Sequence, residues 1–151
     1  MWALLSSNEP DGSDIRKFES LGTRSFASEM AIGTAIDFHN GIGSARKFER
    51  LHYLQRYWTD QARQMPGVEI HTPKDPKYSG AIALVSVQGM KPAEVDSALF
   101  TKAKIHTVGI VWENISGVRI TPNVYTSIKD LDRLLNTLDS VAQEARKKAK
   151  S

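Results

Sequence analysis

Cysteine is absent from the 151 residues, which excludes disulfides, a thiolate nucleophile and any cysteine-built metal site. No apolar run approaches the ~20 residues that a helix needs to cross a bilayer, so no membrane partner is expected. The opening Met1-Trp2-Ala3-Leu4-Leu5-Ser6-Ser7 lacks the positive flank and long apolar core of a secretory signal, and the expected location is cytoplasmic. A strong excess of one charge is also lacking. The formal net charge is +3, and part of it lies in Arg146, Lys147, Lys148 and Lys150, where the end of a helix favours cations. That run reads as a solvated helix end, and nucleic acid is not an expected partner. His39, His52, His71 and His106 show no zinc-ligand spacing, so no metal is expected. There is no internal repeat and no low-complexity tract. What remains, 40% apolar and 25% charged, is the composition of a globular chain able to bury a core.

Periodicity then orders the elements. Residues 1 to about 24 mix Pro10, Gly12 and acidic residues and read as a loop leading into a short extended or helical piece. Ser25 to about Asn40 reads as a helix, with Ser25 as cap, Phe26, Met30 and Phe38 on an apolar face, and the small row Ala27, Ala31, Ala35 suited to close packing. Gly41 and Gly43 are expected to end it, and Ser44 to cap a second helix with the stripe Phe48, Leu51, Leu54, Trp58, Ala62, Met65. Pro66-Gly67 stops that helix. Strands are expected at Val68 to Thr72 and Ala81 to Val87, and a helix from Pro92 to about Lys102. Two further strands follow at Ile105 to Glu113 and Gly117 to Thr121, separated by the turn-like Asn114-Ile115-Ser116-Gly117. Ser127 caps a final helix with Leu131, Leu134, Leu135, Leu138, Val141, Ala142 and Ala145 on its apolar face. The fold class is α/β, with a small α+β domain. Two N-terminal helices precede a strand-strand-helix-strand-strand-helix unit in two layers, its small mixed or antiparallel sheet covered by helices on one face.

Few residues carry chemistry on their own. Arg119 is a polar residue alternating with Val118 and Ile120 on a half-buried strand, or a guanidinium whose planar fork can hold a carboxylate by two parallel hydrogen bonds. Gly22-Thr23 ahead of a helix is a tolerant loop, or a phosphate contact built from orphan amides and a hydroxyl. Glu29 and Asp37 are two turns apart on one helix and do not form an acid-base pair. Trp58 and Trp112 read as core or domain-interface packing. Arg46, Lys47, Arg50, Arg56 and Arg63 are interrupted by Glu49 and Asp60 and read as a solvated helix face.

Taken together, Gly117-Val118-Arg119-Ile120-Thr121-Pro122-Asn123-Val124-Tyr125 and the following Asp130-Leu131-Asp132-Arg133-Leu134-Leu135 resemble the C-terminal segment of class V aminotransferase-like enzymes. These are pyridoxal-phosphate (PLP) enzymes of fold type I. Upstream, Glu19-Ser20-Leu21-Gly22-Thr23 ahead of a long helix has the family's order of glutamate, spacer and Gly-Thr. The phrasing of Val118 to Ser127 is most similar to the isopenicillin N epimerase-like branch, and the resemblance runs from about Asp14 to Leu138.

It implies that Arg119 binds the carboxylate of an amino-acid substrate. Thr23, with Gly22 giving backbone access, would contact the PLP phosphate of the neighbouring subunit, so that the enzyme is a homodimer. It also implies that the Schiff-base lysine, the aspartate at the pyridine nitrogen and the stacking aromatic belong to a large domain upstream of the matched region. On that reading no catalytic residue lies in this chain, which is the C-terminal third or so of the enzyme and is inactive alone. Residues 1–43 would be a remnant of the PLP-binding domain, 44–67 a connecting helix and 68–151 the small α/β domain.

Two departures matter. Lys104 to Ile110, where the family's cysteine desulfurases carry their persulfide-forming cysteine, has none, which argues against desulfurase chemistry; the branch that the chain resembles includes transamination, epimerisation and lyase chemistry, of which transamination or epimerisation is the expectation. Tyr125 is followed by Thr126-Ser127 where many relatives have Asn-Thr. The alternative is a free-standing, non-catalytic α/β interaction or ligand-binding module, with the sheet as scaffold.

Overall fold

A computed structural model describes residue 13 and residues 25–149. The chain divides into two compact units, residues 1–42 and residues 43–151, and each is taken by itself.

In the first unit a helix, α1, spans Phe26–Ile42. The Ser25 carbonyl accepts from the amides of Ser28 and Glu29, which starts the helix one residue after the expected cap. Gly41 stays helical, and Gly43, at φ 89, breaks the ladder in its place. A left-handed backbone suits glycine because it has no Cβ to clash. None of α1's described residues is buried.

The second unit holds α2 (Ser44–Ala62), β1 (Val68–Ile70), β2 (Ala83–Val87), α3 (Pro92–Ala103), β3 (Val108–Trp112), β4 (Ile115–Ile120) and α4 (Ile128–Lys148). The expected order of strands and helices is the observed one. Ser44 is the first residue of α2 and not its cap; Gly43 occupies that position and makes no side-chain cap bond. The face that α2 buries keeps Leu54, Trp58 and Ala62 of the expected stripe and adds His52, Gln55 and Thr59, while Phe48 is 57% exposed. The cause is tertiary. α2 packs on α4 and β1, and two long-range bonds fix its angle: the Tyr57 hydroxyl donates to Asp132 Oδ1 at 2.6 Å, and Arg50 donates to the Thr126 carbonyl at 3.1 Å.

The four strands form one antiparallel sheet in the order β1-β2-β4-β3. α3 and α4 pack against it and against each other. Residues alternate between the faces of a strand. Ile70, Ala83, Val85, Val87, Val118 and Ile120 point into the core with Val95, Leu99, Leu134, Leu138 and Trp58. The opposite face carries Glu69, Leu84, Ser86, Val108, Ile110, Trp112 and Arg119, which are half-buried or exposed.

α4 is the best-defined helix at its start. Ser127 Oγ accepts from the Asp130 amide at 3.2 Å, and Asp130 Oδ2 accepts from the Ser127 amide at 3.1 Å. This reciprocal pair satisfies two orphan donors. No helix among the described residues is long and apolar enough to cross a membrane.

Candidate functional site

Arg119 lies on the sheet face that looks away from the core, near the C-terminal end of β4. The ladder sets its neighbours: Leu84 of β2 is directly opposite on one side and Val108 of β3 on the other. Its guanidinium makes no hydrogen bond or ion pair to any described residue, and the side chain is exposed. Val118 and Ile120, on either side in sequence, are buried, so the alternation that holds β4 in the sheet also turns Arg119 outward.

The same face carries a polar cluster. His71, just beyond β1, donates its amide to the Leu84 carbonyl at 3.0 Å, which extends the row to His71, Leu84, Arg119 and Val108. His71 Nε2 and Ser86 Oγ are 2.8 Å apart, a hydrogen bond whose donor depends on the tautomer. His71 Nδ1 is 3.8 Å from Glu69 Oε1, beyond hydrogen-bond reach but within pairing range of a protonated imidazole. Zinc-ligand spacing does not pick out this cluster, because Ser86 reaches His71 from a neighbouring strand, 15 residues away in sequence. The available signal was period two: Glu69 and His71 are two apart at a strand and so share its face.

Other expected positions fall elsewhere. Gly22 and Thr23 lie outside the described residues. Tyr125 stands in the turn after β4 and is 82% exposed; the turn is closed by the Thr126 amide to the Asn123 carbonyl at 2.8 Å and by the Asn123 amide to Thr126 Oγ1 at 2.9 Å. Trp58 is wholly buried, whereas Trp112, at the end of β3, is 68% exposed and outside the core. His52 is buried beside Phe48, ring centroids 4.0 Å apart, and its Nε2 has no partner among the described residues. His106 stacks on Phe100 at 4.6 Å. A cleft of about 230 Å³ opens behind β4, lined among others by His106, Thr121, Pro122, Asp130 and Arg133. Asp130 there is held below the usual carboxylate range, chiefly by the Ser127 hydroxyl and then by the Ser127 amide. Among the described residues no group of three or more His, Asp or Glu side chains is placed to hold a metal.

No family model matches the chain. It is 31% identical over 137 residues to an isopenicillin N epimerase of Streptomyces clavuligerus, covering 86% of this chain and 33% of that protein. A second isopenicillin N epimerase, from Amycolatopsis lactamdurans, is 25% identical over 130 residues, covering 85% and 33%. The chain matches a C-terminal part of class V aminotransferase-like PLP enzymes. It spans about a third of the length of the relatives it matches. The class V fold is seen again in solved structures. A cysteine desulfurase from Thermococcus onnurineus NA1 superposes with a TM-score of 0.74 at 17% identity, over 85% of this chain and 34% of that one. A cystine C-S lyase in complex with cysteine persulfide gives 0.65 at 14%, over 82% and 32%.

Proposed function

We propose that this chain supplies the substrate-carboxylate arm of a class V PLP enzyme that acts on an amino acid by transamination or epimerisation. The observation that carries the reading is Arg119, a guanidinium engaged by no other described residue, set between Leu84 and Val108 on the open face of a four-stranded sheet. The planar fork makes two parallel charge-assisted hydrogen bonds and so fixes the carboxylate in two directions. A strand also holds its side chain more firmly than a loop would, so the bound acid is oriented as well as anchored.

PLP, when bound in the complete enzyme, supplies the electron sink for chemistry at the α-carbon. The sheet described here does not fit that group. None of β1 to β4 carries a lysine, so no step is routed through the cofactor from these residues. Gly22 and Thr23 are assigned the cofactor-phosphate contact across a homodimer. Residues 1–43, 44–67 and 68–151 are assigned to the cofactor-domain remnant, the connecting helix and the small domain. With no cysteine in the chain, a persulfide has no residue here on which to form.

The test is titration of the chain with L-alanine and with L-alanine methyl ester, followed by NMR of arginine side chains. The free acid should bind, and the ester, whose carboxylate is blocked, should not. Arg119→Gln should weaken acid binding by about ten- to a hundredfold, the equivalent of a charged hydrogen bond worth about 1.5–3 kcal/mol. Equal binding of acid and ester, or an Arg119→Gln chain that binds as before, would sink the reading.

A further inference from the structure

We propose that Glu69, His71 and Ser86 form the second half of the surface that Arg119 begins, and that they select amino acids whose side chain ends in an uncharged hydrogen-bonding group such as an amide or hydroxyl. The proposal rests on Arg119 holding the α-carboxylate. Its own ground is the cross-strand row. His71 sits opposite Leu84, and Leu84 sits opposite Arg119, so the histidine and the arginine share one face with a single strand between them. Neighbouring strands are about 4.7–4.9 Å apart, which puts their Cα atoms about 10 Å from each other.

Leu84 fills the interval. Its Cγ is 3.2 Å from where a side chain on Gly117 would begin, so it leans over the glycine backbone and makes an apolar floor. A ligand held by its carboxylate at Arg119 therefore runs an apolar stem across Leu84 and brings its far end to the 2.8 Å His71–Ser86 pair.

The chemistry of that end follows from the groups present. With His71 Nε2–H donating to Ser86 Oγ, the serine hydroxyl keeps its hydrogen to donate and a lone pair to accept, which an amide or hydroxyl can satisfy together. A second carboxylate would meet Glu69, whose Oε1 is 3.8 Å from His71 Nδ1, and like charges at that range repel. An apolar end would strip water from the pair and return nothing, leaving polar groups unpaired.

The experiment uses the full chain with three amino acids of similar length: L-glutamine, L-glutamate and L-norleucine. The four histidines of the sequence give a sparse set of ring resonances, and His71→Asn identifies its own. Glutamine should bind at least about fivefold tighter than the other two and should shift the His71 ring signals, a change of about 1 kcal/mol. Ser86→Ala with His71→Ala should bring the glutamine advantage down to about one. Ser86→Ala alone, which keeps the imidazole, should reduce it and serves if the double variant does not fold. Three equal affinities, or an advantage that survives these substitutions, would overturn the selection by His71 and Ser86; if Arg119→Gln still abolished all binding, the carboxylate reading would stand alone. An Arg119→Gln chain that bound all three as before would remove that reading and this one with it.

Discussion

At the tip of the β3–β4 hairpin Glu113 holds a φ of 49, a left-handed backbone that costs an L side chain about 1–2 kcal/mol. Glu113→Gly should therefore raise the unfolding free energy by about 1 kcal/mol in a urea titration, and a loss of stability would contradict the strain. Two residues into β4 the sign reverses. A Cβ on Gly117 would stand 2.6 Å from the Val85 carbonyl oxygen, so Gly117→Ala should cost about 1–3 kcal/mol. These two positions also explain why the turn begins before the Asn114 to Gly117 stretch where it is expected. Asn114, Ser116 and Gly117 are turn formers, yet the turn is Glu113-Asn114, and Ser116 and Gly117 belong to β4. Gly117 is there because the neighbouring strand comes close, which local propensity does not encode. Arg119 was legible, since an arginine between two apolar residues on a strand must face away from them. The Ser86–His71 bond was not, because it joins residues 15 apart and depends on the register of two strands.

Among the elements, α4 was the most legible, its apolar positions and its cap both standing where periodicity and Ser127 put them. Ser127→Ala should cost about 1 kcal/mol by thermal or urea unfolding, and a neutral result would mean that solvent caps the helix as well. The same helix gives the chain a pH dependence. Asp130 is held below its ordinary value by the Ser127 hydroxyl, and Glu144 by its hydrogen bond from Lys102 at 2.8 Å. A carboxyl with a depressed folded-state pKa stabilises the fold fully above its unfolded pKa, and that contribution is lost as pH falls through the folded value. Stability should accordingly decline as pH drops below about 4, the usual carboxylate range, and Asp130→Asn should flatten part of the decline. An unchanged acid profile in that variant would place the sensitivity elsewhere. α2 was legible as a helix and in the middle of its stripe, since Leu54, Trp58 and Ala62 are buried. The polar residues beside that stripe were not: the bonds from Tyr57 to Asp132 and from Arg50 to Thr126, each over 70 residues away in sequence, accompany the burial of His52, Gln55 and Thr59 and leave Phe48 exposed.

For the second unit as a whole, the succession of strands and helices was readable because each has a clean period, while the arrangement of the sheet was not. β2 and β3 both run antiparallel to β4, so they are parallel to each other, and β4 fills the gap between them. The chain lays down both walls of that gap, with α3 between, before the strand that fills it. Assembly is thus settled late: β3 and β4 can form as a local hairpin, but β2 has no neighbour on that side until the hairpin docks. Ribosome-bound chains that stop short of Ile115 should stay open to protease, and those that extend past α4 should become resistant over a narrow span of added length.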